Sequence, residues 1–219
     1  NIGKKMHKFK TIIIATILST FAIFSSNAQV SLGINVKGVS LDAKGSETTS
    51  DQTRQETLEA IVGSVFAEYK IMDLFSIGVE MIPYDIESET VTNNRDGETV
   101  DTGNSTVQVD LESNVGVYLM IPLGDQGVYV KGGYTHSDVI TNENMNTGTK
   151  YGNDDLWGQH VSLGFERDVM DATVRLEGTY SDYENVKIGG ADNENGQGNI
   201  VTVSGMDGYS VGVSIVKGF

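Results

Sequence analysis

The chain has 219 residues, and its 30 acidic and 15 basic side chains give a formal net charge of −15 at pH 7. This balance argues against nucleic acid as a partner, because a basic surface is the first requirement for that interaction. The absence of cysteine excludes a disulfide framework, a thiolate metal site and a lipid-modified N-terminal cysteine. The length suits one domain, and two prolines against 26 glycines favour β-structure with tight turns.

The first 28 residues have the layout of a secretory signal peptide. A short basic stretch at residues 6–10 precedes an apolar run at 11–24, and small residues follow up to Ala28. A helical membrane span needs about 20 apolar residues, whereas this run is shorter and contains four hydroxyl side chains. We expect cleavage after Ala28, with residues 1–5 as either upstream or non-native sequence. Cleavage would remove four of the 15 basic residues and no acid, leaving 11 against 30 acidic residues and a net charge of −19.

The remaining residues, 29–219, are divided by three short turn-like breaks, centred near positions 73, 124 and 169. The four resulting intervals have similar lengths, which predicts four hairpins and therefore eight strands. Ten strands stay possible if a long loop hides a weak hairpin. Each hairpin has a polar middle rich in Gly, Asn, Asp and Thr, at residues 42–57, 87–105, 141–156 and 188–206. Short turns at one end and long loops at the other are typical of membrane barrels, in which the long loops are extracellular.

Most of the predicted strands alternate between an apolar and a polar face. The fourth has the longest apolar face, formed by Val107, Val109, Leu111, Val115, Val117, Leu119 and Ile121. The third loses its alternation near Pro83, where we expect a bulge. The second, at about 58–71, is apolar on both faces, so its register stays unassigned. Alternation alone also fits a soluble sandwich or a soluble lipocalin-like barrel; the signal peptide, the loop asymmetry and the C-terminal strand favour a membrane barrel.

If the polar faces point inward, a set of ionisable side chains lies in the lumen. The set is Lys37, Glu80, Asp110, Glu112, Lys131, Glu166, Arg175 and Glu177, with Glu68 and Lys70 as further candidates. Buried charges must be paired and hydrogen-bonded, and an eight-stranded barrel is just wide enough to be filled by its own side chains. We therefore predict a salt-bridge network that plugs the lumen. The excess of acids suggests the alternative, a narrow cation-preferring pore.

Two short motifs were candidates for chemistry. His160 and Ser162 share a strand face with Glu166, a spacing that resembles the His-x-Ser of outer-membrane lipid A deacylases. Those enzymes turn their catalytic groups toward lipid, whereas the alternation here turns these residues into the lumen, so we expect no catalytic residue and no enzyme. The acidic segment 192–198 departs from the EF-hand pattern at Gln197 and Val203, so we expect no metal and no cofactor. With the other loop acids it should form a hydrated surface.

Aromatic residues cluster toward both ends of the predicted strands, as in the aromatic girdles of membrane barrels. Those near the short turns are Tyr69, Phe75, Tyr118, Tyr129, Phe165 and Phe219. Those nearer the long loops are Tyr84, Tyr134, Trp157, Tyr180 and Tyr209. Tyr118 and Tyr129 could instead point inward.

The last predicted strand ends on an aromatic residue. Its outward face is Tyr209, Val211, Val213, Ile215 and Phe219, interrupted by Lys217, which can extend its amine to the headgroups. This pattern resembles the C-terminal assembly signal of bacterial outer-membrane β-barrels.

With the signal peptide before them, the C-terminal strand pattern and the loop asymmetry, residues 29–219 resemble the small eight-stranded barrels of the OmpA/OmpX-like superfamily. The resemblance implies an antiparallel transmembrane β-barrel in the bacterial outer membrane, inserted by the barrel-assembly machinery. It implies contact with outer-membrane lipid and lipopolysaccharide, and a non-enzymatic role in envelope integrity, adhesion or surface interaction through loops whose ligand is unknown. Because the chain ends with this strand, we do not expect the peptidoglycan-binding domain that OmpA carries.

Overall fold

The computed structural model of the protein describes residues 29–47, 53–71, 74–94, 104–144, 150–191 and 200–219. The predicted signal peptide, its cleavage site at Ala28 and the acidic segment 192–198 lie outside these residues. The strands are β1 (Gln29–Glu47), β2 (Thr53–Ile71), β3 (Phe75–Met81), β4 (Ile86–Glu87), β5 (Val91–Asn94), β6 (Asn104–Pro122), β7 (Val128–Asn144), β8 (Lys150–Tyr151), β9 (Asp154–Val169), β10 (Ala172–Tyr183), β11 (Val186–Ala191) and β12 (Ile200–Gly218). In the part of the chain so described, no helix has the length and apolarity of a membrane span.

These strands form one closed ring of eight antiparallel walls. The short strands β4 and β5 continue β3 along β6, β8 continues β9, and β11 continues β10 along β12. The ring closes where β1 pairs with β12, for example at Ile34 opposite Ile215. The prediction of eight antiparallel strands is therefore confirmed.

The two ends of the barrel differ as predicted. At one end, here called the turn end, short connections join β2 to β3, β6 to β7 and β9 to β10, at the three positions expected from the sequence. At the other, the loop end, the strands run further than the polar composition suggested. β1 and β2 remain paired as far as Ser46 and Thr53, within the segment 42–57. Backbone hydrogen bonds do not require apolar side chains, so polar residues can extend the hairpins beyond the apolar belt.

Near the turn end, three aromatic rings lie inside the barrel, each over a glycine on the neighbouring strand. Phe66 pairs with Gly33, Tyr118 with Gly78, and Tyr129 with Gly164. A Cβ atom at any of these glycines would overlap the ring beside it. The glycines therefore provide the space in which these large side chains fit.

A bulge in β6 reverses the alternation of that strand. The register with β7 shifts between Glu112 and Val115, and Ser113 has a positive φ of 54°. On the turn side of the bulge Val115 faces outward and is exposed, whereas on the loop side Leu111 packs inside. The prediction of one continuous apolar face from Val107 to Ile121 is therefore wrong, because one extra residue inverts every position beyond it.

This inversion also moves two predicted lumen acids. Because Val109 and Leu111 pack inside the barrel, alternation along the strand places Asp110 and Glu112 on the outward face. Asp110 accepts hydrogen bonds from Gln108 and from the Asn142 amide, and neither contact is an ion pair. Their assignment to the lumen is incorrect.

The strand whose register the sequence left open is now assigned. In β2, Val62, Ser64, Phe66 and Glu68 are buried inside, whereas Ile61 and Val65 are exposed outside. β3 ends at Met81, just before Pro83, and the strand resumes only at β4. The sequence predicts a bulge near Pro83, whereas the structure has a break in the strand there, because proline cannot donate a ladder hydrogen bond.

The break leaves a seam in the wall. β2 pairs with β3 only from Val65 to Ile71, and β4 and β5 pair only with β6. Among the described residues, no backbone pairing joins the loop-end half of β2, residues 53–64, to β4 or β5. A side-chain contact crosses nearby, in which the Gly63 amide donates to the Tyr84 hydroxyl oxygen at 2.6 Å.

Candidate functional site in the barrel interior

The layer of the lumen nearest the turn end is centred on Arg175. Its Nη1 and Nη2 atoms donate to the two carboxylate oxygens of Glu68, at 2.6 and 2.9 Å, and its Nε donates to Glu166 at 2.9 Å. The Tyr118 hydroxyl donates to the same Glu68 at 2.8 Å. Glu68 and Arg175 are only 3% and 8% exposed, so this pair depends on its two-pronged geometry and added hydrogen bonds to offset desolvation.

Aromatic faces complete this layer. The guanidinium carbon of Arg175 lies 5.6 Å from the centre of the Tyr129 ring and 5.8 Å from that of Phe66. Both distances are within the range of a cation–π contact. The guanidinium of Arg175 thus contacts two carboxylates and lies near the faces of two aromatic rings.

A second layer of ion pairs lies toward the loop end. Lys131 Nζ is 2.6 Å from Glu177 Oε1 and 3.9 Å from Glu80 Oε2, and Lys37 Nζ is 3.0 Å from Glu80 Oε1. Hydroxyl groups add to the pairing: the Ser64 hydroxyl donates to Glu80 at 2.6 Å, and Tyr129 donates to Glu177 at 3.0 Å. The two layers together contain three cations and four carboxylates.

The structure thus brings together six of the eight residues predicted to form the lumen network. These six are Lys37, Glu80, Lys131, Glu166, Arg175 and Glu177. Glu68, a further candidate in the sequence, occupies the centre of the first layer. Lys70 is exposed at the turn end. Sequence reasoning missed the contributions of Ser64 and Phe66, because β2 is apolar on both faces and its inward side could not be identified.

Above the second layer, toward the loop end, the interior becomes apolar. A cavity of about 350 Å³ lies there, with Lys37, Glu80, Lys131, His160 and Glu177 at its floor. A cluster of buried apolar side chains lines one wall, formed by Val139, Leu156, Val186 and Ile188. Opposite them, residues from β1, β2 and β4 line the cavity, among them Leu41, Ala60, Val62 and Ile86. Alternation in the sequence predicts polar inward faces throughout, so this apolar cavity differs from the expectation.

The weak His-x-Ser motif faces this interior but is not arranged for catalysis. The Ser162 hydroxyl forms its hydrogen bond with the Thr179 hydroxyl at 2.8 Å. Glu166, the acid on the same face, is engaged by Arg175. Within the described part of the chain, His160 has no hydrogen-bonding side-chain partner, and it lines the cavity.

One cluster of potential metal ligands lies on the outer surface, close to Trp157. The ligand atoms of His136, Asp138 and Asp155 lie within 4.8 Å of one another, and His136 Nε2 is 3.3 Å from Asp155 Oδ1. The His136 ring packs on Trp157 with a centroid distance of 4.4 Å. The cluster is partly exposed, and such groups commonly occur without a bound ion.

The residues of the predicted assembly signal lie on the outer face of β12. Tyr209, Val211, Val213, Ile215 and Phe219 are all exposed. Tyr209 contacts Tyr180 on β10, with ring centroids 5.2 Å apart. Lys217, the exception in the pattern, donates to the Asp171 carbonyl oxygen at 2.6 Å. Recognition of this strand during assembly stays a prediction.

No protein-family model matches the chain, and no curated protein matches it in sequence. Among solved structures it is similar to the outer membrane protein OprG from Pseudomonas aeruginosa, with a TM-score of 0.50, 13% identity, and coverage of 86% of this chain and 96% of that one. It is less similar to Ail, the attachment invasion locus protein of Yersinia pestis, in complex with a heparin analogue, with a TM-score of 0.41, 7% identity and coverage of 86% and 99%.

The outer membrane protease OmpT from Escherichia coli also matches, with a TM-score of 0.45, 10% identity and coverage of 87% and 97%. At these identities the likeness to OprG concerns the fold alone. The chain therefore has the fold of the small outer-membrane β-barrels, as its resemblance to the OmpA/OmpX-like superfamily predicts.

Proposed function

We propose that the protein is a non-enzymatic β-barrel of the bacterial outer membrane, with a lumen closed by ion pairs and a structural or surface-interaction role at its loop end. The observation that carries this proposal is the double layer of ion pairs, because most of these pairs join strands that are not neighbours in the ring and therefore cross the interior. The signal peptide, the barrel-assembly machinery and lipopolysaccharide contact belong to the same proposal.

The outer surface supports a location in lipid. Large apolar side chains on the outward face are exposed around the ring, including Ile61 at 82% and Leu163 at 61%. Others lie on β1 and β12, at Ile34 and Val211. A soluble protein rarely exposes a continuous apolar belt, whereas a membrane barrel requires one. The soluble lipocalin-like alternative predicts extraction without detergent.

Closure of the lumen is supported by the pairing of its charges. Each of the three cations contacts at least one carboxylate, and the aromatic rings of Phe66, Tyr118 and Tyr129 lie near Lys131 and Arg175. A cation-preferring channel is the second candidate, because the two layers contain one more carboxylate than cation. That function requires the paired side chains to separate.

The test is conductance of residues 29–219, refolded in detergent and inserted into a planar bilayer. We expect insertion, verified by a heat-modifiable gel shift, without steady current steps. Reproducible open steps in the unmodified protein would overturn the closed lumen and favour the channel.

A non-enzymatic role is supported by the engagement of Ser162 and Glu166 with other side chains. If the protein were a lipid A-modifying enzyme, Ser162→Ala would abolish a change in lipid A that the unmodified protein produces. We expect lipid A from cells expressing either form to have the same mass.

A further inference from the structure

We propose that the apolar cavity in the loop-end half of the barrel is a binding site for a small, largely apolar molecule with one neutral hydrogen-bonding group. This inference goes beyond the closed scaffold, because the ion pairs that seal the turn end are the floor of the cavity and stay in place when the site is filled.

The size and lining of the cavity define the apolar part of the ligand. Its volume of about 350 Å³ is roughly a dozen times that of a water molecule in the liquid. Val139, Leu156, Val186 and Ile188 form a buried apolar wall on one side. The lining is mostly apolar, although polar side chains such as Asn114, Ser137 and Thr179 also contribute to it, and a mostly apolar lining with a few polar groups is typical of small-molecule sites.

The floor of the cavity defines the polar part of the ligand. Lys37 and Lys131 are already paired with Glu80 and Glu177, so the charges there are balanced and an anionic or cationic head group would disturb them. His160 is different, because it lines the cavity and its ring forms no hydrogen bond with a side chain of the described residues. A hydroxyl or carbonyl group could pair with the imidazole without changing the charge of the floor.

The seam in the wall offers a path from the lipid to this site. Leu58, Ala60 and Val62 on β2 and Ile86 on β4 line the cavity from the two sides of the seam, and no backbone pairing among the described residues joins these two strand segments. An apolar molecule dissolved in the bilayer can therefore reach the cavity by separating side chains, without breaking a ladder of hydrogen bonds and without passing the ion pairs.

The experiment is methyl NMR of the mature barrel in lipid nanodiscs, titrated with 1-decanol. We expect saturable shifts at the inward methyl groups of Val139, Leu156 and Ile188 and none at the outward methyl groups of Val161 and Leu163. Equal shifts on both faces would mean partitioning into the lipid only and would overturn the proposal. Absence of any saturable shift inside the barrel would overturn it as well.

Two cavity-filling variants and a matched control locate the site. Val139→Trp and Ala60→Phe, placed on opposite walls, should abolish the saturable shifts, and either one suffices if the other does not fold. Val161→Trp, outward on β9, should leave them unchanged. Binding that survives both filled cavities would overturn the assignment.

The head group is tested with His160→Phe and with two further probes. Loss of one hydrogen bond in this variant should weaken the binding of 1-decanol about three- to tenfold and leave the binding of n-decane unchanged. Decanoate should bind at least about tenfold more weakly than 1-decanol, because its charge has no free partner at the floor. Equal or tighter binding of decanoate would overturn the neutral head group. None of these measurements depends on whether the floor conducts ions.

Discussion

Arg175 holds both carboxylate oxygens of Glu68, at 2.6 and 2.9 Å, although the two residues are 107 positions apart in the chain. The contact joins β10 to β2 through the interior, between walls that share no backbone hydrogen bonds. The ion pair therefore links two strands that the backbone hydrogen bonds of the sheet do not join directly.

Removing one partner of this pair should be strongly destabilising. We expect Glu68→Ala to lower the free energy of unfolding by about 3–5 kcal/mol, because it leaves a buried guanidinium with an incomplete set of partners. The measurement is urea unfolding in lipid vesicles. Glu59→Ala, at an exposed position of the same strand, is the control and should change stability little. The double variant Glu68→Met with Arg175→Met should recover part of the loss, and equal losses in all three variants would contradict this account.

The second layer of ion pairs should control leakage. Lys131→Ala removes the cation between Glu177 and Glu80, so the two carboxylates should repel each other and take up water. We expect brief, cation-selective openings in planar bilayers, with a reversal potential that follows the cation gradient. Lys217→Ala, outside the lumen, should stay closed. If Lys131→Ala is as silent as the unmodified protein, the lysine is not needed for closure.

The glycines beneath the aromatic rings should be intolerant of a methyl group. A Cβ at Gly164 would overlap the Tyr129 ring, whereas a Cβ at Gly178 on the adjacent strand would meet no atom within 4 Å. We expect Gly164→Ala to cost about 1–3 kcal/mol, as overpacking does, and Gly178→Ala to be close to neutral. Equilibrium unfolding of the two variants compares them directly, and similar effects would show that the ring moves aside at little cost.

A charged substitution on the outward apolar face should destabilise the barrel only if that face contacts lipid. Leu163 lies on the outer face of β9 and is 61% exposed, so in a soluble protein Leu163→Arg would cost little. In a bilayer we expect a loss of about 2–4 kcal/mol near the midplane. Gln159→Arg, on the same face and closer to the loop end, is the matched control and should be nearly neutral. Unfolding in vesicles gives both values, and a negligible loss at Leu163 would argue against lipid contact.

Much of the fold follows from local patterns that were visible in the sequence. Alternation and turn residues act over a few positions, so they correctly predicted eight strands and three short turns, whereas the bulge expected near Pro83 is a break in the strand. Six lumen charges were also found, because on these strands the charged residues alternate with apolar residues that face outward. The ion-pair partners could not be predicted, because the pairing of Arg175 with Glu68 depends on the arrangement of strands that are far apart in the sequence.

The errors on β6 share one physical cause. A single extra residue at Ser113 exchanges the two faces of β6, and serine at a positive φ leaves no clear mark in the sequence. Asp110 and Glu112 were therefore assigned to the wrong face, and the inward turn of Val109 and Leu111 was missed. The cavity depends on that same inversion, so it could not be predicted from a strand read as uniformly alternating.

The pairing of β1 with β12, with Ile34 opposite Ile215, closes the sheet into a barrel. Every other strand pair of the ring joins neighbouring stretches of chain, whereas this pair joins its most distant strands. Forming it therefore carries the entropic cost of closing the longest loop. Until then two strand edges stay open and able to pair with other chains. The last backbone contact to form is thus the one that removes the hazard of aggregation, which makes closure a slow step that an assembly factor could usefully catalyse.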